Sequence, residues 1–371
     1  MPPCYGQCGH GPDAAVTART AGGRTGRCGR TPGKIPRVTA RASRVSRVSR
    51  VSRARRTCLA VPGSSPRFLA KAQGLAVDEV FLDLEDAVAP AQKADARAAV
   101  AAALRSGDWG AKVRAVRIND VTTGWAYRDV VDVIEQAGEF VDAIVLPKVA
   151  SPEHVTWLDL LLGQVEQAMG YPAGRIGIEA QIEDAAGLAA VDEIAAASPR
   201  LEALVFGPAD FMASLGMRSL EIGAQPERYL GGDAFHYPHL RILVAARARG
   251  LQAVDGPYAA IHDADGLRRN AASVAALGYD GKWVLHPGQV EIVNAEFSPA
   301  QADYDRAELI LAAYEYYTTV QGRGAAMLDG AMIDEASRKL ALVAAARGRA
   351  AGLIRTREFR PEEPLAAGRP D

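Results

Sequence analysis

"VRAVRINDVTTGWAYRDVVDVIEQAGEFVDAIVLPK" runs from residue 113 to residue 148 and contains one complete folding unit. "VRAVRIN" (113–119) is a short run rich in β-branched and apolar residues, which reads as a strand. "YRDVVDVIEQAG" (127–138) spaces its apolar positions along one face of a helix, and "AIVLPK" (143–148) is a second short strand. Strand, helix, strand in this compass predicts a parallel crossover. The same unit repeats in both directions. Before it come "CLAVPG" (58–63) and "EVFLDLE" (79–85), with "SPRFLAKAQGL" between them as a helix. After it come "IGIEAQIE" (176–183), "ALVFGPAD" (203–210), "LQAVDGP" (251–257) and "KWVLHP" (282–287).

Eight such strands predict an α/β fold of the (β/α)₈ barrel type. A doubly wound open sheet is the alternative, but no glycine fingerprint follows the first strand. The barrel is expected over 57–298, with a helical extension over 299–371. At 371 residues and 49% hydrophobic content the chain can fill such a core. No run of about 18 apolar residues is present, so no membrane span is expected.

Charge divides the chain. Residues 1–56 hold thirteen Arg or Lys and one acid, Asp13, leaving 30 bases against 43 acids in residues 57–371, a net of −13. An acidic core is a poor partner for nucleic acid or an anionic membrane. "RASRVSRVSRVSRARR" (41–56) puts arginine at nearly every third position, which forms no apolar helical face, so a disordered basic tail over 1–56 is expected. Its Arg and Ser content also fits a transit peptide, and a mis-assigned start is a third reading. Cys4, Cys8 and Cys28 lie in this tail and only Cys58 in the core. That is no disulfide framework and suits a reducing compartment, cytoplasmic or, if the tail is a transit peptide, the mitochondrial matrix. Cys4, Cys8, His10 and Cys28 match no strong zinc spacing.

Nearly every strand ends in a polar residue: Asp83, Glu85 and Asp86; Arg117 and Asn119; Lys148; Glu183; Asp210; Asp255; His286. In a barrel these ends converge on one rim, where active sites form. Glu183 and Asp210 end neighbouring strands. Without cysteine or clustered histidine they suit a hard cation, Mg²⁺ with Mn²⁺ as the alternative. Each could instead cap the following helix. Glu179 shares the face of Glu183 but sits lower in the barrel. Arg117 can steady a developing oxyanion or pair with Glu85 or Asp86 at the rim. The "DLEDAV" acids exceed what one metal can take, so some would orient water. His286 reads equally as a general base or a packed rim histidine. Arg67 and Lys71 in "PGSSPRFLAKA" (62–72) suggest a phosphate clamp at a helix start. "LDGAMID" reads as a turn before a helix that Asp334 caps.

Together "VPGSSPRFLAKA", "FLDLEDAVAPAQKADAR", "VRIND", "IVLPKV", "IEDAAGL", "SPRLEALVFGPADFMASLGM", "VDGPY", "GKWVLHPGQV" and "GAMIDEASRKLA" resemble the citrate lyase β-subunit/malyl-CoA lyase superfamily of Mg²⁺-dependent CoA-ester lyases. The resemblance covers roughly 57–350 and is closest to the malyl-CoA/β-methylmalyl-CoA lyases. It implies a (β/α)₈ barrel with a C-terminal helical extension, assembled as a homotrimer or homohexamer. It places metal ligands on Glu183 and Asp210, a catalytic arginine on Arg117 and a catalytic acid from a neighbouring subunit on Asp334; Glu85 and Asp86 are also taken as catalytic residues. The CoA side is expected at Lys71, Arg67, Leu285 and His286. The implied reaction is reversible cleavage of a β-hydroxyacyl-CoA to an oxo acid such as glyoxylate and a shorter acyl-CoA.

Two departures bear on substrate. Ser65 stands where malyl-CoA lyases often carry arginine, with Arg67 as the expected substitute, and the excursion over 219–240 is shorter than in long malyl-CoA lyases. Thioesterase or malate synthase chemistry, citramalyl-CoA cleavage and a citrate lyase β-subunit are the alternatives. A non-catalytic protein using the basic arm for nucleic acid is the reading from another class.

Overall fold

The computed structural model describes residues 53–361. The expectations for residues 1–52, including the zinc reading and most of the triplet repeat, lie outside the described residues, as do 362–371.

Eight parallel strands close into a barrel in sequence order, β8 pairing back onto β1. The strands are β1 (Thr57–Pro62), β2 (Glu79–Asp83), β3 (Val113–Arg117) and β4 (Ala143–Leu146), then β5 (Gly177–Ile182), β6 (Leu201–Phe206), β7 (Gln252–Asp255) and β8 (Gly281–Val284). Each stands where the apolar runs predicted it, but the hydrogen-bonded ladder stops one to four residues before the polar termini. Glu85, Asn119, Lys148, Glu183 and Asp210 therefore occupy the loops and helix starts just above the strands. The helices between strands are α1 (Pro66–Gln73), α2 (Lys93–Ser106), α3 (Ala126–Ala137), α4 (Pro152–Met169), α5 (Ala185–Ala189), α6 (Val191–Ala196), α7 (Pro208–Ser214), α8 (His236–Ala248) and α9 (Ala264–Leu277). α10 (Val290–Glu296) follows β8.

Alternation along the strands creates two cores. Residues such as Val80, Leu82, Val116, Ile144, Ile178 and Leu204 face the helices. Cys58, Phe81, Ala115, Ala143, Val145, Ala203, Val205, Val254 and Trp283 fill the inside. Small residues there leave room for Phe81 and Trp283, whose ring centroids lie 4.1 Å apart. Cys58 is buried and free, and burial pushes its thiol well up.

The floor of the barrel holds two arginines from the stretch expected in the basic tail. Arg55 is only 1% exposed. Its Nε donates to Glu79 (2.7 Å) and Glu179 (2.9 Å), its Nη2 to Glu202 (2.6 Å), and its Nη1 to Gln252. Beside it Arg56 donates to both carboxylate oxygens of Asp78 at 2.8 Å. These arginines share the composition of the basic tail, yet they close the bottom of the barrel, because three inward glutamates need a cation there. Glu179 is accounted for by the same contact.

The extension consists of α11 (Gln301–Thr319), a hairpin of β9 (Ala326–Leu328) and β10 (Ala331–Ile333), and α12 (Glu335–Ala350). Asp329 and Gly330 both have positive φ, as a two-residue hairpin turn requires. α11 and α12 pack through Tyr304, Ala307, Ala341 and Ala345. Arg347 near the end of α12 donates to the carbonyls of Gly278 (2.7 Å) and Tyr279 (3.1 Å), which precede β8. The extension is thus anchored to the barrel floor. No helix among the described residues is long and apolar enough to cross a membrane.

Two outcomes follow for the floor. Arg55→Met strands three buried carboxylates and should cost about 3–5 kcal/mol in urea denaturation. Burial, then the charge of Glu179, pushes the Glu79 carboxyl well above the usual range, more than Arg55 pulls it down. A raised folded pKa contributes stability that is complete below the unfolded value of about 4.3 and lost as pH rises through the folded one. Glu79→Gln should remove that part of the downward slope; denaturation curves parallel to wild type across the pH series would contradict it.

Candidate active site

Above the aromatic pair lies a cavity of about 150 Å³ whose lining includes Asp86, Arg117, Gln181, Glu183, Asp210 and Leu285. Arg117 ends β3 on its inward face. Its Nε and Nη2 grip the two oxygens of Asp83 at 2.8 and 2.7 Å, and its Nη1 lies 3.1 Å from Glu85 Oε2. The guanidinium stands over Phe81 and Trp283, 5.7 and 5.4 Å from the ring centroids. Burial alone would weaken its charge, but Asp83, Glu85 and Glu183 outweigh this and hold it firmly cationic. The expected rim partner Glu85 is present; Asp83 is the stronger one.

Glu183 and Asp210 line the cavity together. Glu183 Oε1 accepts from the backbone N–H of Lys148 at 2.6 Å, and its Oε2 from Gln181 Nε2. Burial and then the charge of Asp210 push its carboxyl well above the usual range. Asp210, in the first turn of α7, accepts no side-chain hydrogen bond among the described residues. Buried Gln181 Oε1 has no hydrogen-bond partner among the described residues. A buried carboxylate facing the charge of a second, half-buried one, beside that amide oxygen, fits a hard divalent cation. No group of three or more Asp, Glu, His or Cys among the described residues could hold a metal alone. Water and substrate would complete the coordination, as Mg²⁺ ordinarily requires.

Gly207, the residue before α7, is needed for this approach. A methyl there would stand 2.5 Å from Glu183 Cβ.

Lys148 Nζ donates to Glu85 Oε1 (2.5 Å) and lies 3.3 Å from Asp86. Burial lowers its pKa, but Glu85 and then Asp86 raise it more. Burial raises the Glu85 carboxyl against the pull of Arg117 and Lys148. Burial also acts on Asp86, where Lys148 overcomes it and the carboxyl stays low. Beneath them, buried Lys93 donates to the carbonyls of Leu84 (2.9 Å) and Glu85 (3.1 Å), shaping the acidic loop.

Arg117, Glu85, Asp86, Glu183, Asp210 and Leu285 therefore meet at one place. Other expected residues do not. Arg67 begins the exposed helix α1, but Lys71 falls in its last turn, so the two do not share a helix start. His286 is exposed and its Nδ1 accepts from the Gly288 N–H at 3.1 Å, capping the turn after β8. Asp255 points out of the barrel between Lys282 (2.5 Å) and His239 (3.0 Å). Burial would raise its carboxyl, but those partners hold it far below the usual range. Asn119 is buried against Asp129.

Asp334 caps α12, accepting from Ser337 N at 2.9 Å, a bond that lowers its pKa. It lies roughly 20 Å along the helix from Arg347, taking about 1.5 Å per residue. No described residue of the extension lines the cavity.

Gln181, Phe81 and Trp283 were not among the candidate residues, and Asp83 was named only as a polar strand end. Period-two spacing was their only signal: 79, 81, 83 on one strand and 179, 181, 183 on another.

The HpcH/HpaI aldolase/citrate lyase family model matches residues 56–287. The chain belongs to that family. A curated relative, the L-malyl-CoA/β-methylmalyl-CoA lyase of Cereibacter sphaeroides, is 42% identical over 290 residues, 76% of this chain and 91% of the relative. A second, named (3S)-malyl-CoA thioesterase and also from C. sphaeroides, is 38% identical over 75% of this chain and 89% of its own length. Among solved structures, Mycobacterium tuberculosis CitE in complex with magnesium, acetoacetate and coenzyme A matches with a TM-score of 0.61. It is 30% identical and covers 80% of this chain and 99% of that one.

Gly207→Ala should displace Glu183 and weaken magnesium binding, reducing the rise in Tm that added Mg²⁺ gives the wild type. An unchanged rise would show that Glu183 tolerates the methyl.

Proposed function

We propose that the chain is a magnesium-dependent CoA-ester lyase that reversibly cleaves malyl-CoA or β-methylmalyl-CoA to glyoxylate and acetyl-CoA or propionyl-CoA. The observation that carries this reading is the shared cavity: a clamped, fully cationic arginine beside two carboxylates suited to a divalent ion.

Glu183 and Asp210 would hold Mg²⁺, which when bound polarises the hydroxyl and carboxylate oxygens of the 2-hydroxy acid portion. As the hydroxyl proton passes to water reaching the open cavity, its oxygen becomes a carbonyl and the adjacent carbon–carbon bond breaks. The bond's electron pair passes into the thioester as an enolate. Arg117 faces that charge with the Nη1 and Nη2 hydrogens that Asp83 and Glu85 leave uncommitted. Asp83 and the aromatic rings hold the guanidinium still, so little reorganisation accompanies charge development. The enolate carbon then takes a proton from a carboxylic acid.

Asp334 of a second copy supplies that acid in this reading. The support is positional: the residue caps a helix anchored at the floor, and the chain's own extension contributes nothing to the cavity. The site is then complete only in an oligomer. Arg67, Lys71 and Leu285 remain the residues proposed for the CoA side. His286 would join them only by releasing Gly288.

Full-length protein incubated with each thioester, with Mg²⁺ present or chelated, should give metal-dependent glyoxylate with acetyl- or propionyl-CoA by mass spectrometry. Free CoA and malate without glyoxylate would move the assignment to the thioesterase, the name borne by the 38%-identical relative. Turnover of neither would overturn the reading.

Arg117→Ala should lower kcat by roughly 10²–10³-fold. Asp334→Ala should be comparably impaired, and mixed oligomers of the two variants should regain activity at sites combining one intact residue from each. Absence of recovery in mixed oligomers would place Asp334 in its own barrel's site or outside the mechanism.

A further inference from the structure

Lys148 has a left-handed backbone, with φ at 50°, which a lysine rarely adopts. Asp329, in the hairpin turn, is the other non-glycine residue with positive φ among the described residues. Glycine would take this conformation without steric cost, so the lysine side chain needs its own reason. The hydrogen bonds supply one. The Lys148 backbone N–H donates to Glu183 Oε1 at 2.6 Å, while its ammonium donates to Glu85 Oε1 at 2.5 Å. A single residue thereby holds a carboxylate of the proposed metal pair and a carboxylate of the Arg117 cluster. Glu85 is divided between two cations, Oε1 on Lys148 and Oε2 on Arg117.

Building on the lyase reading, we propose that Lys148 is a positioning residue: its ammonium holds Glu85 back so that Arg117 keeps N–H donors for the substrate, and its left-handed backbone fixes Glu183 beside Asp210. Without the ammonium, Glu85 is a buried carboxylate with Arg117 as its remaining cation. It turns both oxygens onto the guanidinium, whose other edge Asp83 already occupies. The donors that would meet the enolate oxygen are then consumed inside the protein.

The two duties separate by substitution. Lys148→Gly keeps the left-handed backbone and its N–H but removes the ammonium. Lys148→Met removes the ammonium and keeps a side chain of similar length. Both should lower kcat roughly 10–100-fold, the usual effect of disturbing a supporting contact, with KM nearly unchanged. Lys148→Gly should retain the full Mg²⁺-induced rise in Tm, which reads Glu183 without reference to activity. Adding Glu85→Gln to Lys148→Met should restore most of the lost kcat, because a neutral amide no longer competes for Arg117. A structural role alone predicts no such recovery.

Wild-type turnover with an unimpaired Lys148→Met, or a double variant no better than the single, would overturn this inference and leave the lyase reading standing. A lost Mg²⁺ response in Lys148→Gly would overturn the backbone duty. If the wild type turned over neither thioester, the lyase reading would fall, and the inference with it.

Discussion

The closed eight-stranded barrel imposes the constraint on which everything else rests: its interior is filled by side chains, so a charge aimed inward must find its counter-charge there. Arg55 meets Glu79, Glu179 and Glu202 at the floor, and Arg117 meets Asp83 and Glu85 near the rim. Between them lies an apolar plug of Phe81, Trp283 and small residues. The two ionic layers look alike in composition and differ in accessibility. The floor is sealed, while the rim opens into a cavity.

That difference turns one layer into structure and the other into chemistry. At the floor the guanidinium is fully engaged by four side chains. At the rim Asp83 takes one edge of Arg117 and aromatic faces support it, leaving part of the other edge facing the cavity. Glu183 and Asp210 add negative charge that protein donors neutralise only in part. A fixed cation at the end of β3 and an unmet demand for a second one above β5 and β6, brought together in one cavity, are the electrostatic arrangement a carbon–carbon lyase uses to bear charge on both fragments of a breaking bond.

The fold was legible because it depends on local periodicity. All eight strands follow from apolar runs, and the crossover helices from their spacing. Arg117, Glu183 and Asp210 were legible because strand ends in a barrel can go to only one rim. Arg55 was not, because a run of like residues gives no sign of which arginine enters the core. Where the strand-end residues Asp255 and His286 point was not legible for a related reason. A residue at a strand end can point outward into the helix layer, as Asp255 does, or fold back on its own turn, as His286 does. Lys71 lies in the last turn of α1, not at its start with Arg67, because the helix is only eight residues long.

The sequence by itself determined the barrel, its strand order, and which charged residues gather at its rim, since alternation and helical spacing are properties of short segments. Tertiary structure decided the pairings: Asp83 with Arg117, Lys148 between Glu85 and Glu183, Arg55 among three glutamates. Such pairs join residues tens to more than a hundred positions apart, and their strength comes from exclusion of water, which exists only once the barrel has closed.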